Sequence, residues 1–157
     1  MRLIVSVGEM KIGQKEDRLA THALGSCLGL TVYDTVVQIG GLLQAMLPLS
    51  KINVPKAALN PFMFVDTGIP ALFEALYEQG VLQANMVVKA VGCGNPMGEK
   101  EVFRIGERNY RVLQEVLVKN GIRLAAEDVG GTASRMVQLD LATGQTLISS
   151  NGTERVL

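Results

Sequence analysis

This 157-residue chain has only one histidine and two cysteines. The cysteines, Cys27 and Cys93, lie far apart, neither belongs to a Cys-x-x-Cys pair, and the histidine is His22. Zinc and iron–sulfur sites usually announce themselves by close Cys/His pairs, so neither a metal nor another cofactor is expected. An excess of charge is missing too. The 15 Lys and Arg balance the 15 Asp and Glu, which leaves no global field to draw the chain to nucleic acid or to an anionic membrane. No apolar run approaches the roughly 20 residues that span a bilayer, so no membrane insertion is expected. Residues 1–8 read as a short apolar strand, soon followed by Glu9 and Lys11, rather than as a secretory signal. These absences lead to the expectation of a cytoplasmic protein whose thiols are reduced rather than joined.

What is present is the composition of a globular protein, 48% hydrophobic and 19% charged. With no repeat, low-complexity tract or charged tail to mark a boundary, residues 1–157 are read as one domain. Strands are expected over residues 3–7, 19–23, 28–33 and 38–47, the last ended by Pro48, which lacks a ladder donor. Between residues 64 and 77 the apolar residues Val65, Ile69, Leu72, Phe73 and Leu76 recur at helical spacing. Pro70 is tolerated only in a first turn, which predicts that this helix begins near Thr67. A buried strand over 86–91 follows, then a helix over 106–120 with Ile105, Asn109, Val112, Leu113, Val116 and Leu117 on its inner face. Strands near 122–126 and 135–139 and a hairpin through Ala142-Thr143-Gly144 complete the chain. Strand runs with two main helices, lacking regular βαβ alternation, predict a layered α/β sandwich with a mixed β-sheet.

The most informative stretch is Thr21-His22-Ala23-Leu24-Gly25-Ser26-Cys27-Leu28-Gly29. Gly25 and Ser26 form a turn between two strands and set Cys27 at the bend. Backbone amides at such a bend can converge on a developing oxyanion, and a thiol is the strongest nucleophile available near neutrality once a base assists it. Free cysteines are also among the most buried residue types. Composition and spacing leave both readings open, nucleophile and small core residue.

Several segments in order carry a resemblance. Leu24-Gly25-Ser26-Cys27 before an apolar strand ending in Tyr33-Asp34, then Met46-Leu47-Pro48, Asp66-Thr67-Gly68-Ile69-Pro70, Ile105-Gly106-Glu107-Arg108-Asn109, Glu127-Asp128-Val129-Gly130-Gly131 and Ala142-Thr143-Gly144 together resemble the CheD family of bacterial chemoreceptor glutamine deamidases. The resemblance implies conversion of glutamines to glutamates on chemoreceptor cytoplasmic helices, with Cys27 attacking the side-chain amide to form a thioester. It implies that Thr21 orients its neighbours at the site. It also implies a fold similar to that of bacterial deamidase toxins, and engagement of a CheC-type phosphatase as partner.

One position departs from the family pattern. The resemblance places the catalytic histidine two residues before Met46, and this chain has Gln44 there. A glutamine hydrogen-bonds but exchanges no protons at useful pH, so weak or absent deamidation is expected, with a binding or regulatory role on chemoreceptors or the phosphatase as the alternative. His22 is the one candidate substitute base, but it follows Thr21, and adjacent side chains in a strand face opposite ways. Two other features have plainer readings. Gly92-Cys93-Gly94-Asn95-Pro96-Met97-Gly98 is no phosphate loop, because Pro96 intervenes and no helix opens on its glycines. By resemblance it lies near the site, with Cys93 as a packing residue. Glu127 and Asp128 point apart on extended backbone and are read as solvated or turn-capping carboxylates.

Overall fold

Two cores, one on each face of a shared sheet, organise the chain. The computed structural model describes residues 1–157. The strands are β1 (Arg2–Val5), β2 (Glu9–Gln14), β3 (Arg18–Thr21), β4 (Leu28–Asp34), β5 (Ile39–Ala45), β6 (Met86–Gly92), β7 (Ala126–Val129), β8 (Met136–Asp140), β9 (Thr146–Ser150) and β10 (Thr153–Val156). The helices are α1 (Val54–Leu59), α2 (Val65–Glu78) and α3 (Ile105–Lys119). One sheet runs β1-β3-β8-β9-β10 and the other β2-β5-β4-β6-β7. Each is mixed, because β1 pairs with β3 in parallel and β6 with β7 in parallel while the remaining ladders are antiparallel.

Strand β4 shows why the layers stack. All seven of its residues are buried, since its neighbours β5 and β6 cover its edges and apolar layers cover its faces. Leu28, Leu30 and Val32 point into a core shared with α2 and α3, where Ile69, Leu72, Leu76, Leu113 and Val116 meet them. Tyr33 and, from β5, Leu42 point the other way, into a core closed by Leu19, Val137, Leu139 and Ile148 of the first sheet. The period of two thus sorts each strand between a helix layer and a second sheet. The order of layers is helices, sheet, sheet, which is the layered α/β sandwich expected.

Asp34 ends β4 and organises the turn after it. Its buried carboxylate accepts hydrogen bonds from the N–H groups of Val36, Val37 and Leu82, at 2.8, 3.1 and 3.0 Å. Burial by itself raises the pKa of such a group, but the three backbone donors outweigh it and hold the Asp34 carboxyl below its ordinary value.

Two boundaries differ from the sequence expectation. Helix α2 begins at Val65 rather than near Thr67, because the chain just before it already supplies its capping: Val65 N–H donates to the Leu47 carbonyl at 2.8 Å and Asp66 N–H to the Pro48 carbonyl at 3.2 Å. Pro70 therefore sits just beyond the first turn. The strand expected over 122–126 instead runs from Ala126 to Val129, where it finds the free edge of β6 in parallel register, Lys89 opposite Ala126 and Gly92 opposite Val129. Strands β2 and β10 and the short helix α1 were not foreseen from the sequence.

Candidate active site at the Cys27 turn

The turn between β3 and β4 is held by its carbonyls. Leu24 forms an isolated bridge with Arg135, its N–H donating to the Arg135 carbonyl at 2.6 Å and its carbonyl accepting from Arg135 N–H at 3.2 Å. Beyond it, the Gly25 carbonyl accepts from Gly94 N–H at 2.8 Å, the Ser26 carbonyl from the Asn109 side-chain amide at 2.9 Å, and the Cys27 carbonyl from Cys93 N–H at 2.8 Å. The N–H groups of Ser26 and Cys27 meet no acceptor in the protein. No peptide bond is cis. A trans peptide holds its C=O and N–H on opposite sides, so these two donors are turned away from the groups that bind the carbonyls. Free, fixed backbone donors beside a thiol are what stabilisation of an oxyanion requires.

Glycine is needed where other backbone comes close. A Cβ on Gly106, in the first turn of α3, would lie 2.0 Å from the Gly94 carbonyl oxygen, and one on Gly92 would lie 2.3 Å from the Cys27 carbonyl oxygen. Gly92 also takes φ +98°, a conformation that side chains disfavour. Loop 92–94 is therefore wedged between the nucleophile turn and the helix. Cys93 itself adopts φ +49° and is 3% exposed.

Cys27 is half-buried and packs against the core between the sheets. Burial pushes its thiol above the ordinary value, and the side chain of Gln44, hydrogen-bonded to the sulfur, works against that rise. Gln44 lies in β5 opposite Gly29 of β4 and Glu9 of β2, and is 4% exposed. Alternation puts it on the same face as Leu42, toward the first sheet. Thr21, the last residue of β3, shares the face of Leu19 and points into the same layer from the opposite sheet. Its buried hydroxyl oxygen accepts from Val137 N–H at 3.2 Å, which leaves its own proton free to donate. His22 is exposed next to buried Thr21. Of the residues singled out in the sequence, Gln44 is the one brought to the sulfur.

Three groups at this site were missed or undervalued in the sequence. Burial pushes the Cys93 thiol up to about 12; the neighbouring Cys27 adds to the rise and Arg135 opposes it. Asn109, expected only as part of an inner helix face, reaches two backbone carbonyls. Arg135 is 7% exposed, and its guanidinium donates to the Gly92 carbonyl at 3.0 Å and to the Gly130 carbonyl while lying 3.5 Å from an Asp128 carboxylate oxygen. It knits the loops on both sides of Cys93, and nothing local in the sequence distinguishes it from a surface arginine. Glu127 and Asp128 do point apart: Glu127 accepts a hydrogen bond from the Tyr110 hydroxyl, and Asp128 meets Arg135 and Arg155. The Asp128 carboxylate is thus an ion-pair partner rather than a turn cap.

The CheD family model, described as CheD chemotactic sensory transduction, matches residues 46–150. The probable chemoreceptor glutamine deamidase CheD of Solibacter usitatus is 43% identical over 157 residues, covering 99% of this chain and 93% of that protein. The chain belongs to the CheD family. Similar relatives bear the same name in Syntrophus aciditrophicus, 39% identical with 96% of this chain and 94% of the other covered, and in Pyrococcus abyssi, 38% identical with 90% and 86% covered. The family model starts two residues after Gln44, so the CheD likeness of the Cys27 turn and of β5 rests on these near full-length relatives. No helix of this CheD family member is long and apolar enough to cross a membrane.

Proposed function

We propose that the chain is a thiol-dependent protein-glutamine deamidase scaffold directed at chemoreceptor glutamines, with Cys27 as nucleophile and with turnover limited by Gln44. The observation that supports this reading is the pairing of a half-buried thiol with unoccupied backbone donors on a turn whose carbonyls are all committed elsewhere. In the reaction, the Cys27 sulfur attacks the carbon of a glutamine side-chain amide. The oxyanion is met by the Ser26 and Cys27 N–H groups, ammonia departs, and water hydrolyses the thioester to leave glutamate. Thr21 orients groups across the layer between the sheets.

Two proton transfers are needed, from the thiol and to the departing nitrogen. In the family resemblance a histidine performs both, and Gln44 here performs neither, although it stays close enough to hydrogen-bond the sulfur. His22, exposed beside Thr21, is poorly placed to substitute. That observation favours a second reading, in which the same pocket binds and does not turn over. The protein would then dock on chemoreceptor cytoplasmic helices or on a CheC-type phosphatase as a regulator.

Mass spectrometry of a chemoreceptor cytoplasmic fragment separates the two. The chain, its Gln44→His form and the same form with Cys27→Ala are each incubated with the fragment, and conversion of glutamine to glutamate is followed. Deamidation that appears with Gln44→His and vanishes with Cys27→Ala supports the deamidase scaffold. Inactivity of every form, with retained binding to fragment or phosphatase, leaves the binding reading.

A further inference from the structure

We propose that Asn109 is the positioning residue of the Cys27 site, one buried amide that fixes the nucleophile turn and the end of β5 relative to each other. Its side-chain nitrogen donates both hydrogens, to the Ser26 carbonyl at 2.9 Å and to the Met46 carbonyl at 3.0 Å. Both partners are carbonyl oxygens and can only accept, so the orientation of the amide is settled by its neighbours. Ser26 directly precedes Cys27, and Met46 lies two residues beyond Gln44. One side chain from a third element therefore braces the strand that carries Gln44 against the turn that carries the thiol.

The energetics favour a positional role over simple packing. Asn109 is fully buried, and the other buried residues of α3 are Gly106, Val112, Leu113, Val116 and Leu117, none of them polar in its side chain. Its Oδ1 atom is buried with no hydrogen-bond partner. A half-satisfied amide in an apolar stripe is costly, and an aliphatic side chain would fill that stripe at less cost. What the amide alone supplies is the two-carbonyl brace. Gly106, one turn earlier, allows α3 to come close enough to make it, since any Cβ there would strike loop 93–94.

The brace also aims a donor. Holding the Ser26 carbonyl toward α3 fixes the plane of the Ser26–Cys27 peptide, and with it the direction of the Cys27 N–H on the opposite side. The far end of β5 is pinned from its other side by Met46 and Leu47, whose N–H groups both donate to the Met63 carbonyl at 3.0 Å. With Met46 held at both its N–H and its carbonyl, Gln44 and the sulfur keep one geometry.

This inference rests on Cys27 being the nucleophile, and its test reads thiol chemistry and turnover separately. Asn109→Leu, close in shape but unable to donate, and Asn109→Ser, too short to reach, are compared with the full chain by iodoacetamide labelling across pH. Buried Cys93 serves as the internal control for folding, because it resists labelling only in the folded protein. The expected result is a shift of about one pH unit in the Cys27 labelling midpoint toward the ordinary thiol value, as the loosened turn becomes solvated, with Cys93 still protected. In the Gln44→His background the same variants should lower kcat for a chemoreceptor fragment by about 10²-fold at unchanged KM, the scale of a misplacement near 1 Å. If the Cys27 midpoint shifts while no Gln44→His protein deamidates anything, the brace stands and the deamidase reading fails. A Cys27 midpoint that stays put in both folded variants overturns the inference.

Discussion

The Cys93 N–H donates to the Cys27 carbonyl at 2.8 Å, so the two thiol residues of the chain face each other just past the Leu28–Gly92 end of the β4–β6 ladder. Their chemistry differs because their burial differs. Cys27 is half-buried and Cys93 is fully buried, and the thiolate is the species that reacts.

Alkylation should therefore be selective. Iodoacetamide is expected to label Cys27 first, with a midpoint above the ordinary thiol value, and to spare Cys93, whose thiol is pushed up to about 12. Peptide mass spectrometry across pH checks this. Equal labelling of the two cysteines in folded protein would contradict the placement of Cys93.

Removing the Gln44 amide should raise the Cys27 midpoint further. Burial lifts the thiol and the hydrogen bond from Gln44 opposes the lift, so Gln44→Ala leaves burial unopposed. Slower labelling of Cys27 at fixed pH is the expected outcome, and faster labelling would mean that the variant mainly opens the pocket. Gln44→His should act oppositely in turnover, with a gain of about 10²-fold or more if the restored imidazole transfers protons.

Arg135→Met should destabilise the protein by about 3 kcal/mol, since it strands the Gly130 carbonyl, leaves the Gly92 carbonyl with Gly130 N–H as its remaining donor, and leaves Asp128 with only exposed Arg155. Urea unfolding measures the loss. A midpoint unchanged within error would show that loop 92–94 needs no guanidinium to hold its shape.

Asp34 gives a pH dependence whose sign is fixed. Its folded-state value is depressed, so its contribution is fully present above the unfolded carboxyl value near 3.8 and is lost as pH falls through the lower folded value. Asp34→Ala should cost about 3 kcal/mol at pH 7 by orphaning three backbone N–H groups, and the gap from the unaltered protein should narrow only in that acid window. Urea midpoints for both proteins at pH 7 and at progressively lower pH test it. A gap that narrows already between pH 7 and 5 would assign the effect to another group.

The sequence by itself determined the presence of β4 and β5 and the inner faces of α2 and α3, because a period of 3.6 states which residues a helix must bury. It also determined that Cys27 stands at a glycine-containing turn and that Thr21 and His22 are directed to opposite sides. The remainder needed the third dimension. Strand β7 started four residues later than its local pattern indicated because the β6 edge, more than thirty residues earlier, set its register. Helix α2 gained two residues from carbonyls of Leu47 and Pro48 that only chain packing supplies. The grouping at the site was least legible of all. Asn109 reads locally as one more inward position of a helix, and Arg135 as an ordinary charge, yet each is buried because it satisfies backbone carbonyls from segments distant in sequence. Hydrogen-bond debts of that kind are created when loops meet, so no local pattern records which side chain will settle them.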